Sequence, residues 1–239
     1  MLPIARSELV QIFRNRSVLI TSFVIPVAVS ALFIYQHDTF ATIGSLGYIA
    51  AVVMFTVTVF GLYSTTVTTL VDRRQNLFLK RLRSTAATDA GILTGLVLPA
   101  TVIALVQVGL ILAVFGAVTG APENVALLVV AVVATVALMI ALGLATAGVT
   151  RTPEHAQITA LPVSLGVIAV ASWVGITGTE SLTLLKRLLP GGAATELVVQ
   201  AWEGGAPLGD SLLLLAPTAA WIVVAVSLAF RLFRWDPRR

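Results

Sequence analysis

Six stretches of this chain contain no Asp, Glu, Lys or Arg: Val18–Gln36, Ile43–Val71, Gly91–Val118, Asn124–Val149, Ala156–Ile176 and Ser211–Phe230. A helix needs about 20 apolar residues to cross about 30 Å of hydrocarbon, and each stretch supplies them. A water-soluble domain carries about a quarter charged residues. Here only 11% of 239 residues are charged and 58% are hydrophobic. Inside lipid a backbone must satisfy its own polar groups, so uncharged runs of this length fold as helices. The expected fold is an all-α integral membrane protein of six spans, one transmembrane domain over residues 1–239. The second run is longer than a bilayer requires, so it tilts or continues past the lipid. Pro26, Pro99, Pro162 and Pro217 lie inside runs, where they kink a helix or mark its end.

Charge sets the orientation. With the N-terminus inside, thirteen of the fifteen basic residues face the cytoplasm: Arg6, Arg14, Arg16, Arg73, Arg74, Lys80, Arg81, Arg83, Arg151, Arg231, Arg234, Arg238 and Arg239. Lys186 and Arg187 alone remain outside. Five acidic residues fall inside and six outside, leaving the inner face at +8 and the outer at −4. An excess of Lys and Arg marks cytoplasmic segments, so both termini are expected there. The basic pI thus reflects bilayer orientation and gives no reason to expect a nucleic-acid partner.

The connecting segments carry three further expectations. In residues 1–17, Leu2, Ala5, Leu9, Ile12 and Phe13 recur at helical spacing between Arg6, Glu8, Gln11, Arg14 and Asn15. That pattern predicts an amphipathic helix in the inner interface, with Arg6, Glu8, Phe13 and Arg14 as its characteristic residues. A cleaved signal peptide is the rival, but Ala28-Val29-Ser30 is a marginal cleavage site and the apolar run continues to Tyr35. In residues 72–90, Phe78, Leu79 and Leu82 make one apolar helical face while Arg74, Lys80, Arg81 and Arg83 project elsewhere. Such a helix either lies on lipid or docks into a groove of a soluble partner. In residues 177–210, two short helices, Ser181–Leu189 and Ala193–Trp202, flank the break Pro190-Gly191-Gly192. They are expected to dip into the outer leaflet as a re-entrant hairpin, with Lys186 and Arg187 opposite a leucine stripe. Trp173 and Trp202 are expected in the outer aromatic belt, Trp235 in the inner one, and Trp221 as a packing residue within a span.

Several chemistries are absent from the sequence. There is no Cys, hence no disulfide or thiolate site, and His37 and His155 are too few and too far apart for a histidine metal centre. Lys80 and Lys186 are each followed by Arg, so no phosphate-binding Gly-Lys-Ser/Thr loop exists. No Gly-x-Ser-x-Gly elbow or span histidine suggests an intramembrane protease, so no catalytic residue is expected. The spans hold no ionisable group of the kind a proton-coupled carrier uses. Among their polar residues, Tyr63, Ser64, Thr65, Thr66, Thr68 and Thr69 crowd one half of the second run, and Gln107 lies in the third. Packing is the simplest role for them, and lining a substrate path is the alternative, with Tyr63, Ser64, Thr65, Thr68 and Gln107 as candidates.

Arg6-Ser7-Glu8, Arg14-Asn15-Arg16 and Pro26, then Leu79-Lys80-Arg81-Leu82-Arg83-Ser84-Thr85, then Pro162, Leu189-Pro190-Gly191 and Ala194-Thr195-Glu196-Leu197, resemble in order and spacing the membrane subunits of ABC-2 type exporters. The likeness is to the drug-efflux and daunorubicin-resistance branch. Ala86 stands where that pattern has Pro, and Gln75-Asn76-Leu77 lacks its acidic–Gly pair. The resemblance implies a subunit of a bacterial plasma-membrane exporter that pairs with a second copy or a paralogous permease. It implies separate cytosolic ATPase subunits that carry ATP and Mg, with no cofactor on this chain. It also implies that Arg74, Phe78, Leu79, Lys80, Arg81, Leu82 and Arg83 couple to the ATPase, and that Pro190, Gly191 and Gly192 gate or cap the outer side. The substrate implied is a hydrophobic or amphipathic drug, lipid, peptide or glycan. A secondary transporter and a non-transporting membrane scaffold remain as alternatives.

Overall fold

The structure is a computed structural model that describes residues 2–85 and 87–236; Ala86, Arg238 and Arg239, named above, lie outside the described residues. Every regular element among the described residues is a helix. Helix α1 is Leu2–Arg14. A single turn, Arg16–Leu19, leads into α2, Ile20–Tyr35, and then α3, His37–Ile43. The following helices are α4, Leu46–Gln75; α5, Phe78–Arg83; α6, Asp89–Thr119; α7, Val125–Val149; and α8, Pro153–Thr177. The chain ends with α9, Thr183–Leu188; α10, Gly192–Glu203; and α11, Leu208–Leu232. Five helices (α4, α6, α7, α8 and α11) are long and apolar enough to cross a membrane, and α2 with α3 would make a sixth. The chain has the make-up of an integral membrane protein.

The first expected span differs from the sequence expectation. α2 and α3 meet at an 80° bend, so residues 37–43 are a helix folded aside where a short connection was expected. Aromatic packing explains the bend. Phe33 of α2 stacks on Phe40 of α3 with centroids 4.3 Å apart, and Phe33 meets Tyr48 of α4 edge-on at 6.5 Å. Gln36 leaves helical geometry at the corner.

α4 is the axis of the bundle. Its most apolar window is 89% buried, against 22–50% for the other four long helices. It packs against α2, α6, α7, α8 and α10. Its 30 residues extend about 45 Å, longer than the hydrocarbon layer, as the length of the second run predicted. Within it, Thr58–Tyr63 widens to a π-helical turn, and Ile20–Val24 of α2 does the same. The second widening precedes Pro26, which has no N–H to donate and whose ring would crowd the Ser22 carbonyl in a regular helix. The two widened turns touch, and Ser22 Oγ and Thr65 Oγ1 lie 2.8 Å apart beside them. Pro99 and Pro162 sit inside helices that continue through them, whereas Pro217 follows a break in α11 at Leu214.

At the end of the bundle away from Arg73–Arg83, α10 packs into the cleft between α4, α7 and α8. Its start lies well inside. A Cβ on Gly191 would meet Val167 at 3.2 Å and Phe55 at 3.3 Å, whereas Gly47 and Glu203 meet nearer the ends of α4 and α10. Phe55 is nine residues into α4, so the break descends about 13 Å along it. Gly191 takes a left-handed backbone, φ +93°, to start α10. A Cβ on Gly192 would lie 1.8 Å from the Lys186 carbonyl oxygen, so only glycine fits. Gly192→Ala should therefore cost about 3 kcal/mol by overpacking a fully buried backbone crossing. The checking measurement is the thermal unfolding midpoint of detergent-purified protein, with Gly109→Ala, which meets nothing within 4 Å and should be neutral to slightly stabilising in its helix, as the comparison.

Candidate functional site

The polar stretch expected to form one amphipathic helix is divided between two. Asp72, Arg73 and Arg74 continue α4, and the chain then turns at Asn76 and Leu77. Leu77 adopts a left-handed backbone, φ +56°, unusual for a side chain other than glycine or asparagine. It starts α5, whose six residues are Phe78–Arg83. Thr88 then caps α6 by accepting from the Gly91 amide at 3.2 Å. The result is an elbow between the two longest helices.

Adjacent residues on a helix point about 100° apart, and the two arginines that end α4 use that divergence. Arg74 is fully buried, in contrast to its expected outward projection. It donates to the Ala147 carbonyl at 3.0 Å and to the Thr150 carbonyl, both at the C-terminal end of α7. Those carbonyls have no helical donor, and the helix dipole makes that end negative, so a guanidinium there satisfies and neutralises it. Arg73 turns the other way. Its Nε donates to Glu8 Oε1 at 2.7 Å and its Nη2 to Glu8 Oε2 at 3.0 Å, with further bonds to Gln11 and to Asp72. Glu8 is 2% exposed, so the residue expected on the polar face of a surface helix is the buried end of a two-pronged ion pair. Arg73 also lies over the Phe78 ring, 5.5 Å from its centroid.

The apolar face of α5 is likewise engaged within the chain. Leu79 is fully buried, and Phe78 and Leu82 are half-buried against the same core. Lys80 pairs with Asp236 at 3.1 Å, and Arg83 pairs with Asp89 at 3.0 Å while lying 4.7 Å from the centre of Trp235. Arg81 has no ion pair among the described residues. Leu77, Lys80, Arg81 and Ser84 remain exposed, one stripe at helical spacing. On α1, Arg6, Phe13 and Arg14 are exposed, and Phe13 packs on Phe23 of α2 at 5.9 Å.

Of the candidate path residues, Tyr63, Thr65 and Gln107 are buried inside the subunit, while Ser64 and Thr68 are half-buried. Tyr63 is fully buried, its hydroxyl 3.0 Å from Thr146 Oγ1. Thr65 meets Ser22, as above, Thr68 donates to its own helix at Ser64, and Ser64 is half-buried. Gln107 is 7% exposed, and neither atom of its amide has a partner among the described residues.

Residues 177–210 are more tightly bound than their sequence suggests. Lys186, expected opposite the leucine stripe, is buried; its Nζ donates to Thr177 Oγ1 at 2.8 Å and the Gly178 carbonyl at 2.7 Å, closing the C-terminal end of α8. It also lies 5.2 Å from the Trp173 ring centre. Arg187 grips Glu196 through two bonds of 2.7 and 2.6 Å, which raise the arginine above its ordinary pKa. Trp221 of α11 donates to the Leu188 carbonyl at 2.7 Å, so it is a tie to the hairpin as well as a packing residue. Trp202, expected in an aromatic belt, is 4% exposed and packs on Phe115 at 4.9 Å. These partners are invisible to residue spacing. Only the adjacency of Arg73 and Arg74 on a continuing helix hinted that they diverge.

An all-helical bundle with five long apolar helices among the described residues, and a basic elbow after the first of them, has the make-up of a multi-pass membrane protein. The family pattern of the ABC-2 type transporter matches residues 3–172, and the chain belongs to that family. It is the membrane-embedded component of an ABC transporter, not its ATPase, and family membership implies association with ATP-binding subunits. No curated protein matches the chain in sequence.

Arg74→Ala should lower stability by about 2–4 kcal/mol, because it leaves two buried carbonyls without their charged donor and opens a cavity. Arg81→Ala, exposed and without an ion pair, should leave the unfolding midpoint within about 0.5 kcal/mol of wild type. Paired thermal-unfolding curves check both.

Proposed function

We propose that the chain is the transmembrane half of an ATP-driven exporter of the drug-efflux branch. Two copies, or this chain and a paralogous permease, enclose the path. Both termini and the elbow face the cytoplasm, and ATP and Mg are bound by separate ATPase subunits. The substrate is hydrophobic or amphipathic, a drug, lipid, peptide or glycan.

The carrying observation is the stripe Leu77, Lys80, Arg81 and Ser84, exposed on an elbow whose other faces are held by α1, α6, α7 and the C-terminal segment. It revises the expected docking surface. Leu79 and Arg74 support the elbow from within, while Lys80 and Arg81 meet acidic groups on the ATPase and Leu77 enters its groove. Phe78, Leu82 and Arg83 brace the stripe from behind. The hairpin at Pro190-Gly191-Gly192 caps the outer side and moves as one piece with α9 and α10, because Arg187–Glu196 and the Lys186 contacts join both arms.

Lys80→Glu with Arg81→Glu should abolish co-purification with the ATPase and its stimulated hydrolysis while the unfolding midpoint stays near wild type. Retained co-purification would exclude this docking surface. The chain has no cysteine, so a single Ser84→Cys should react with an impermeant maleimide only after cells are opened, and Asp210→Cys should react in intact cells. The reverse pattern would overturn the orientation.

A further inference from the structure

Beside the elbow, α1 and the basic end of α4 enclose an open cleft of about 720 Å³, a size that holds small ligands. Gln11, Arg14 and Arg16 line one wall, Thr68, Thr69 and Arg73 the other, and Pro153 at the start of α8 closes the end. Glu8 and Asp72 also reach it, but both carboxylates are engaged by Arg73. Arg14 and Arg16 are exposed and form no ion pair among the described residues, so the cleft retains an excess of positive charge. Thr69 adds a hydroxyl with no hydrogen bond among the described residues. The helix that begins at Pro153 carries Glu154 in its first turn, outside the cleft lining, so the cleft's positive charge comes from the arginines.

We propose that this cleft binds the phosphate of an anionic phospholipid. Arg14 and Arg16 supply charge-assisted donors to the phosphate oxygens, Thr69 a neutral one, and the Glu8–Arg73 pair forms a rigid floor. A free phosphate offers the same chemistry. The lipid is favoured because the remaining face of α1 exposes Leu9, Val10 and Phe13, at 39%, 49% and 53%, where acyl chains would lie. Basic pockets at the ends of spanning helices take anionic head groups by this mechanism. The inference depends neither on an ATPase nor on which face of the membrane the elbow occupies.

The test is native mass spectrometry of the detergent-purified full chain, titrated with dioleoyl phosphatidylglycerol, dioleoyl phosphatidylcholine or inorganic phosphate. A basic residue near a lipid surface contributes about fivefold in affinity. Phosphatidylglycerol should therefore bind at least about tenfold more tightly than phosphatidylcholine, and Arg14→Gln with Arg16→Gln should remove most of that preference. Arg14→Lys with Arg16→Lys should preserve it, as should Arg231→Gln with Arg234→Gln, which removes equal charge away from the cleft. Inorganic phosphate at millimolar concentration should leave the lipid adduct in place. Equal binding of the two lipids overturns the proposal, as does a preference that survives the glutamine pair or falls equally with Arg231 and Arg234. Displacement by inorganic phosphate overturns the lipid assignment and makes the cleft a site for a soluble phosphate. Should the glutamine pair fail to fold, Arg14→Gln alone gives the same comparison.

Discussion

The buried guanidinium of Arg74 fixes where the central helix stops being a membrane span and becomes an elbow. A charge with no water around it is tolerated only when its donors are met by well-placed acceptors. Here the acceptors are carbonyls that the end of α7 must satisfy in any case. Two deficits cancel, and the cancellation is local. α4 cannot slide along α7 without exposing both. The same end of α7 meets α11 so closely that a Cβ on Gly148 would lie 3.2 Å from Leu232. Three helix ends therefore converge at the level of the elbow, and the elbow inherits its position from them.

The rest of the interior follows the rule that lipid and packed side chains offer no spare hydrogen bonds. Thr56, Thr58 and Thr135 donate to carbonyls one turn back in their own helices, at 2.8, 2.9 and 2.8 Å. A threonine-rich seam can thus be polar in composition and apolar to its neighbours. Two hydroxyl pairs that cross between helices, Ser22 with Thr65 and Tyr63 with Thr146, lie at the widened turns. Widened turns interrupt regular backbone pairing, and side-chain bonds gather where that happens. The hydroxyl count of the second run therefore reports how α4 is joined to α2 and α7 before it reports anything about a substrate.

Sequence patterning was sufficient where one element alone determines the outcome. An uncharged run of twenty residues in lipid has a single solution, so the cores of the long helices agree with the runs and differ only by a few residues at their ends. Patterning failed where two distant segments share a group. Spacing places Lys186 opposite the leucine stripe of its own helix but says nothing of its partners, Thr177 and Gly178, which belong to another helix end. Phe78, Leu79 and Leu82 formed a correct apolar face, yet periodicity cannot state whether the surface covering that face belongs to the same chain. Residues 37–43 were too short and too mixed to signal a helix, and it is the stacking of Phe33 on Phe40 that makes them one.

The elbow has contacts of two strengths, which constrains how force applied to it would travel. Lys80–Asp236 and Arg83–Asp89 join side chains that are roughly half to two-thirds exposed, and such pairs contribute about 0–1 kcal/mol. They can part without disturbing the bundle. Leu79 and Arg74 are fully buried, and withdrawing either would cost several times as much. On the proposed reading, an ATPase pulling on Lys80 and Arg81 would first loosen the C-terminal segment and then load the buried pair. Past that point α5 has no independent freedom. The end of α4 must move together with α7, through Arg74, and with α1, through Arg73 and Glu8. Because α4 also contacts α10 near its other end, on that reading a tilt of α4 would carry displacement from the elbow to the hairpin.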